Sequence, residues 1–119
     1  MKTYVTHSTS FDFKNKLYKP VRESQLNQNN EITLPHENSN EQFNSKEYMK
    51  DCDLILAEVS FPSTGQGIEL GWANLYAKRI ICFYKQGTKP SGSLKVLTSE
   101  IFEYESSEDL ISKLNNIIS

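Results

Sequence analysis

Cysteine and histidine are scarce in this 119-residue chain, which contains two of each. Cys52 and Cys82 lie 30 residues apart and form no CxxC pair, so neither a disulfide framework nor a paired thiolate site is indicated. His7 and His36 also stand alone, and we therefore predict no bound metal ion and no cofactor. Because no apolar leader precedes Thr3, the two cysteines favour a reduced, cytoplasmic setting.

Long apolar runs and an excess of charge are also missing. No segment approaches the ~20 apolar residues that a membrane span requires, so we predict no membrane partner. The net charge of −2 leaves no basic surface for a nucleic acid polymer. A chain of this length buries roughly two-thirds of its unfolded surface on folding. We therefore predict one globular domain over residues 1–119.

The chain does contain a regular alternation of short β-rich runs and helical patterns. Strands are predicted at residues 2–6, 31–34, 53–59, 79–84 and 100–104. Helices are predicted at residues 11–26, around 43–49, at 68–76 and 93–97, and from 106 onward. This order favours an α/β fold in which right-handed crossovers place helices on both faces of a parallel sheet. The prediction is a flavodoxin-like (Rossmann-like) three-layer sandwich with a five-stranded parallel sheet.

Residues 53–73, DLILAEVSFPSTGQGIELGWA, organise the rest of the chain. The first seven are almost continuously apolar, which is typical of a strand covered on both faces. Pro62 ends the strand, residues 63–67 form a small polar loop, and a helix is predicted to begin at residue 68. Glu69 is thereby placed in the first helical turn, at the carboxyl end of a strand, where open α/β sheets bind ligands.

Two features of this stretch are candidate ligand contacts. Ser63, Gly65 and Gly67 can form an anion seat, because N–H groups at a helix start point outward and glycine allows close approach. The alternative is a plain turn that needs flexible residues. Glu69 is a candidate nucleophile toward an anomeric carbon, although a first-turn carboxylate is also common for purely structural reasons.

Three further residues have open interpretations. Glu58 ends the central strand, where its carboxylate can contact a ribose hydroxyl or a leaving base, as a catalytic group, or emerge into solvent. Tyr4 can hold a ligand or pack as a half-buried ring. His36 follows the second strand and can reach the cleft as a substrate contact, or be an incidental loop residue.

The segment AEVSFPSTGQGIELG at residues 57–71 resembles the signature of the nucleoside 2-deoxyribosyltransferase superfamily. It is most similar to the 2'-deoxynucleoside 5'-phosphate N-hydrolase branch, and Tyr4 matches the tyrosine of that family's first ligand loop. The resemblance implies cleavage or transfer of the N-glycosidic bond of a nucleoside or its 5'-monophosphate. It also implies that Glu69 is the nucleophile, that Ser63 contacts the phosphate, and that Ser93 is donated across a homodimer interface.

Two positions depart from the family pattern. After the first strand the hydrolases carry a glycine-serine pair and an arginine, whereas this chain has HSTS at residues 7–10. Ser8 remains a candidate substrate contact there, and Ser10 stands at the arginine position. Ser45 stands where the family places a catalytic aspartate, and a serine cannot shuttle a proton at neutral pH. Glu47 or Glu41 can substitute.

Two other functions compete with glycoside cleavage of nucleotides. One is a non-catalytic nucleotide-binding or sensing module that keeps the pocket without the chemistry. The other is a TIR-like NAD glycohydrolase, because residues 4–10 open like some TIR-type domains. Release of free base separates the enzymes from the sensing module, and substrate choice separates the two enzymes.

A homodimer is predicted as well. The helix at residues 68–76 carries Trp72, Leu75 and Tyr76 in addition to the residues that face its own sheet. This is more apolar surface than one side of contact needs, and a small α/β domain has few elements with which to close a ligand site. We therefore expect a second subunit to complete each pocket. The remaining partner is a small-molecule nucleoside or nucleotide.

Overall fold

The computed structural model describes residues 1–38 and 45–118 of the chain. Five strands form one parallel sheet in the order β2-β1-β3-β4-β5. They are β1 (Lys2–His7), β2 (Glu31–Thr33), β3 (Leu54–Glu58), β4 (Arg79–Lys85) and β5 (Ile101–Tyr104). This is the flavodoxin-like strand order, and the predicted fold class is confirmed.

Helices cover both faces of the sheet. A π-helical turn (Lys14–Tyr18) leads into α1 (Lys19–Arg22), and α2 (Gln25–Asn29), α3 (Ser45–Asp51), α4 (Thr64–Leu75), a 3-10 turn (Gly92–Val96) and α5 (Ser107–Ile118) follow. One apolar layer packs beneath α1, α2 and α5 and includes Leu56 and Phe83. The other packs beneath α3 and α4 and includes Tyr4 and Ala57. Among the helices of residues 1–38 and 45–118, none has both the length and the apolar character that a membrane span needs.

The single helix predicted at residues 11–26 is wrong, because this part of the chain forms three short helical pieces. Pro20 follows the π-helical turn directly and lacks the N–H that would continue the hydrogen bonds of a regular helix there. Ser24 then adopts an extended backbone with φ of −100° and ψ of 169°, which separates α1 from α2. Its hydroxyl donates to the carbonyl of Val21 at 2.7 Å. Local hydrogen bonding by serine therefore competes with helix continuation.

The predicted start of the central helix is also wrong, because α4 begins at Thr64 and not at residue 68. Ser63 is its N-cap, with an extended backbone and a side chain that accepts from the amide of Gln66 at 3.5 Å. Gly65 and Gly67 are helical, although each costs roughly 0.5–1 kcal/mol relative to alanine in a helix. Glu69 therefore lies in the second turn of α4, not the first.

Candidate functional site

A cavity of about 450 Å³ opens at the carboxyl edge of the sheet. It lies where β1 meets the loop after β2 on one side and α4 on the other, next to the switch point between β1 and β3 where doubly wound sheets bind ligands. Its lining comprises Tyr4, His7, Thr9, Pro35, His36, Ser45, Ser63, Gly65, Gln66, Ile68, Glu69 and Trp72.

Two hydroxyl groups of β1 hold the carboxylate of Glu69. The Tyr4 hydroxyl donates to Oε2 at 2.6 Å, and the Thr6 hydroxyl donates to Oε1 at 2.7 Å. Tyr4 and Thr6 are two residues apart on one strand, so both side chains point to the α4 face. A carboxylate has about four acceptor sites, and each oxygen of Glu69 therefore keeps capacity for a further contact.

The hydrogen bonds from Tyr4 and Thr6 orient the Glu69 carboxylate, and the dipole at the start of α4 does not. The effect of the helix dipole falls off within the first turn, whereas Glu69 lies in the second. Burial, and then the charge of Glu69, raise the pKa of the Tyr4 hydroxyl far above its usual value. Tyr4 therefore keeps its proton and remains a donor to Glu69.

A second hydrogen-bonded group forms another wall of the cavity. The His7 Nδ1 lies 2.8 Å from the carbonyl oxygen of Ser8, which can only accept, so this nitrogen carries the proton. Nε2 of His7 therefore accepts from the Tyr18 hydroxyl at 2.6 Å. Burial lowers the pKa of His7 and raises the pKa of Tyr18 to about 12. His7 is consequently a neutral imidazole with both ring nitrogens engaged.

Gln66 connects α4 to the ends of two strands. Its side-chain amide donates to the carbonyl of Glu58 at 2.7 Å and to the carbonyl of Thr6 at 3.2 Å. Gln66 is buried, Thr6 is the last residue but one of β1, and Glu58 ends the neighbouring strand β3. This contact fixes the start of α4 against β1 and β3, and so fixes Glu69 relative to the hydroxyls that hold it.

The predicted site residues divide between two cavities. The cavity described above, here called the Glu69 cavity, contains Tyr4, His36, Ser63, Gly65 and Glu69. A groove of about 650 Å³ on the other side of the α4 N-terminus is lined by Gly67 and Ser93 and shares Ser63. Among the described residues that line the groove there is no titratable side chain. The Glu69 cavity therefore has the chemically reactive groups.

Two predicted contacts do not line either cavity. Glu58 is buried on the side of β3 that faces Tyr104, and its carboxylate accepts from the amide and hydroxyl of Ser60 at 2.6 and 2.8 Å and from the Tyr104 hydroxyl. It neither emerges into solvent nor lines the Glu69 cavity. Ser8 is buried, and its hydroxyl bonds to the Ser10 hydroxyl at 2.7 Å.

The departures from the family pattern are visible in the cavity. Ser45 is buried and lines it, and the described lining residues include neither lysine nor arginine. Glu47 is exposed and pairs with Lys50 at 3.4 Å, while Glu41 lies outside the described residues. Within residues 1–38 and 45–118 no group of three or more His, Cys, Asp or Glu side chains could hold a metal ion.

The sequence interpretation missed Thr6, Gln66 and Trp72. Thr6 could have been found, because it follows Tyr4 by two residues on a predicted strand and so shares its face. The role of Gln66 could not be predicted from the residue pattern, because it depends on a helix that begins at Thr64. Trp72, interpreted as core or interface, is half-buried and lines the cavity.

Comparison of the sequence with characterised proteins gave short matches. No protein-family model matches the chain. Over 39 residues, a third of the chain, it is 44% identical to human 5-hydroxymethyl-dUMP N-hydrolase. Over 38 residues it is 42% identical to the protein of the same name from Branchiostoma floridae. The matched stretches span 22% and 36% of those proteins, well under two-thirds of their length.

Comparison of the fold covers almost the whole chain. The CMP N-glycosidase BcmB of Clostridium botulinum superimposes with a TM-score of 0.70 over 97% of this chain and 99% of its own. Its sequence identity of 20% means that this likeness concerns the fold. Together with the sequence matches, it confirms the resemblance to the nucleoside 2-deoxyribosyltransferase superfamily.

Proposed function

We propose, on the premise of this resemblance, that the protein cleaves or transfers the N-glycosidic bond of a nucleoside or its 5'-monophosphate, with Glu69 as the nucleophile. The two sequence relatives are named as N-hydrolases of a deoxynucleotide, and the structural relative is named as an N-glycosidase of CMP. These names give the substrate class of the proposal, a nucleotide with a base attached at C1'. The two buried, free cysteines are consistent with a reduced, cytoplasmic setting.

The single observation that carries the proposal is the way Glu69 is held. Tyr4 and Thr6 each donate to one oxygen of a carboxylate that lines an open cavity. These two hydroxyls orient Glu69 at the cavity wall and leave lone pairs on its oxygens for a substrate. Such a carboxylate can attack an oxocarbenium-like anomeric carbon and form a glycosyl-enzyme, as in retaining glycosidases.

The 5'-phosphate has a natural place at the start of α4. Ser63 and Gly65 line the Glu69 cavity, and the first turn of a helix presents N–H groups without intrahelical partners. The described lining residues include no lysine or arginine, so a charge-assisted bond worth about 1.5–3 kcal/mol is missing there. We therefore expect monophosphates to be preferred over nucleosides, but modestly.

Release of free base tests the proposed function. The panel contains CMP, dUMP, 5-hydroxymethyl-dUMP, the purine monophosphates, their nucleosides and NAD, with Glu69→Gln protein as the blank. We expect base release from at least one monophosphate and none above the blank in the variant. Binding of nucleotides without any release would instead identify a sensing module. Release of nicotinamide from NAD alone would identify the NAD glycohydrolase.

We also propose that the working unit is a homodimer formed through the groove beside α4. Ile68, Leu75 and Val96 are 50%, 74% and 85% exposed, which leaves apolar surface on α4 and on the 3-10 turn. Gly71 lines the groove, and a Cβ at this position would meet nothing within 4 Å. A second copy can therefore approach α4 closely, and it would bring Ser93 of the partner subunit toward the Glu69 cavity.

The dimer prediction concerns Gly71. We expect Gly71→Arg to yield a folded monomer, because the new side chain has open space in its own chain but blocks the approach of a second chain. Sedimentation at micromolar concentration measures the change. Mixing Glu69→Ala with Ser93→Ala chains should restore one intact site per heterodimer if Ser93 acts across the interface. A wild-type protein that is active as a strict monomer would contradict the prediction.

A further inference from the structure

The described residues that line the Glu69 cavity include no carboxylic acid besides Glu69 to protonate the departing base. A nucleophilic carboxylate breaks an N-glycosidic bond far more easily when the base accepts a proton as it leaves. The position at which the family places an aspartate is Ser45, which is buried in the cavity wall. A hydroxyl cannot fill this role at neutral pH. The proposed function, on which this inference rests, therefore requires another proton donor.

The titratable side chains that line the cavity are few. Among the described lining residues they are Tyr4, His7, His36 and Glu69. The Tyr4 hydroxyl donates a hydrogen bond to Glu69, and burial raises the pKa of Tyr4. His7 uses both ring nitrogens, one toward Ser8 and one toward Tyr18, and burial lowers its pKa. Neither group is free to give a proton to a substrate.

His36 differs from these groups in its contacts. Its backbone amide donates to the Tyr18 hydroxyl at 3.0 Å, which anchors the loop after β2. Its ring packs against the rings of His7 and Phe13, with centroids 5.7 and 5.9 Å away. Within the described part of the chain the ring nitrogens make no hydrogen bond. The backbone and ring are thus held in place while both nitrogens remain available to a ligand.

The two sides of the cavity then supply complementary groups. Glu69 comes from α4, which follows β3, whereas His36 comes from the loop after β2, on the other side of β1. With the sugar against Glu69 and the 5'-phosphate at Ser63 and Gly65, as proposed above, the wall that carries His36 is left to face the base. We propose that His36 is the general acid that protonates the departing base, in the role that the family assigns to an aspartate.

The proposed reaction has two steps, transfer of the sugar to Glu69 and hydrolysis of the resulting ester. Glu69 forms a bond to C1', the C1'–N bond breaks with its electron pair going to the base, and protonated His36 gives a proton to a nitrogen or carbonyl oxygen of that base. Water then attacks C1', its proton passes to neutral His36, and the ester bond to Glu69 breaks. The carboxylate and the protonated imidazole are both regenerated, and the net change is hydrolysis.

Several titratable groups lie near the His36 ring. His7 is neutral and in ring contact, and Tyr18 keeps its proton because burial raises its pKa to about 12. Glu37 is next in the chain, but both of its oxygens accept from Arg22 at 2.8 Å, and this hydrogen bonding lowers its pKa. Among the described residues that line the cavity, Glu69 carries the remaining carboxylate.

The test compares substrates that differ in their need for an acid. His36→Gln is assayed on an accepted nucleotide and on its analogue whose base leaves without a proton, a 5-nitrouracil nucleotide for a pyrimidine enzyme or a 7-methylguanine nucleotide for a purine enzyme. We expect a loss of roughly 10²–10⁴-fold in kcat on the ordinary nucleotide and less than about tenfold on the analogue. The alkaline limb of the pH profile should also disappear with the ordinary nucleotide.

Other outcomes overturn the assignment. Equal losses on both substrates would mean that His36 only positions the substrate, and no loss on either would mean that it has no role. A selective loss in Glu41→Gln or Glu47→Gln instead would identify one of those carboxylates as the acid. Glu69→Gln distinguishes this failure from failure of the proposed function, because it should abolish release from both substrates whichever residue is the acid.

Discussion

Glu69→Gln is expected to lower kcat/KM for base release by roughly three to six orders of magnitude. Glutamine has the size of glutamate, and its amide can still meet the hydroxyls of Tyr4 and Thr6, but it is not a nucleophile toward C1'. The melting temperature and the affinity for substrate should therefore change little. Rates of base release with saturating and subsaturating nucleotide, together with thermal unfolding, measure these effects.

Glu103→Gln is the matched control for this variant. Glu103 is exposed on β5, so the same chemical change there should leave activity and stability close to those of the wild type. A Glu69→Gln protein that keeps activity within tenfold of the wild type would show that Glu69 is not the nucleophile. A variant that fails to fold would be replaced by Glu69→Asp, which keeps the charge but shortens the reach to C1'.

Tyr104→Phe is expected to lower the free energy of unfolding by about 1.5–3 kcal/mol, the usual value of a hydrogen bond to a charged group. The Tyr104 hydroxyl donates to the buried carboxylate of Glu58, and phenylalanine fills the same space without that donor. The loss is large for a domain whose total stability is of order 5–15 kcal/mol. Urea unfolding of the two proteins measures it directly.

The same variant separates two roles for Glu58. In the structure Glu58 and Ser60 connect the ends of β3, β4 and β5, because the Ser60 hydroxyl also accepts from the amide of Lys85 at 2.8 Å. A structural role predicts that Tyr104→Phe keeps base release within about threefold once the protein is folded. Tyr84→Phe is the control, since Tyr84 is only partly buried. Loss of activity without loss of stability would restore the catalytic prediction for Glu58.

The sheet could be predicted closely from the sequence. Each predicted strand differs from the structure by at most one residue at either end. The reason is that buried parallel strands need nearly continuous apolar side chains, as in residues 54–57, and that polar or glycine-bearing segments interrupt them. Strand order then follows from the alternation of strands and helices and from the central position of the most apolar run.

The helix boundaries could be predicted less well, and Glu69 shows why. Gly65 and Gly67 favour a loop by propensity, yet they are helical because Ser63 caps the helix and Gln66 joins it to two strands. Both stabilising contacts are tertiary or depend on backbone angles that a pattern of residue types does not specify. The result is that Glu69 is oriented by hydroxyls of β1 and not by the helix terminus.

The candidate site was partly predictable for a similar reason. Tyr4, Ser63 and Glu69 line one cavity because they lie on β1 and at or near the start of α4, elements that the topology brings together at the carboxyl edge of the sheet. Glu58 was placed near the substrate because it ends a strand, but the strand's alternation directs its side chain to the opposite face, beside Tyr104. His7 and Tyr18 form a pair across 11 residues that no local pattern shows.

Trapping of the covalent intermediate tests the central claim most directly. The protein is incubated with an accepted nucleotide that carries fluorine at C2' of the sugar, which slows breakdown of a glycosyl-enzyme, and is then digested and analysed by mass spectrometry. The account predicts one added fluoroglycosyl group on the peptide that contains Glu69, and none in Glu69→Gln protein. An adduct on Glu58 or on any other residue, or steady base release with no adduct at all, would contradict it.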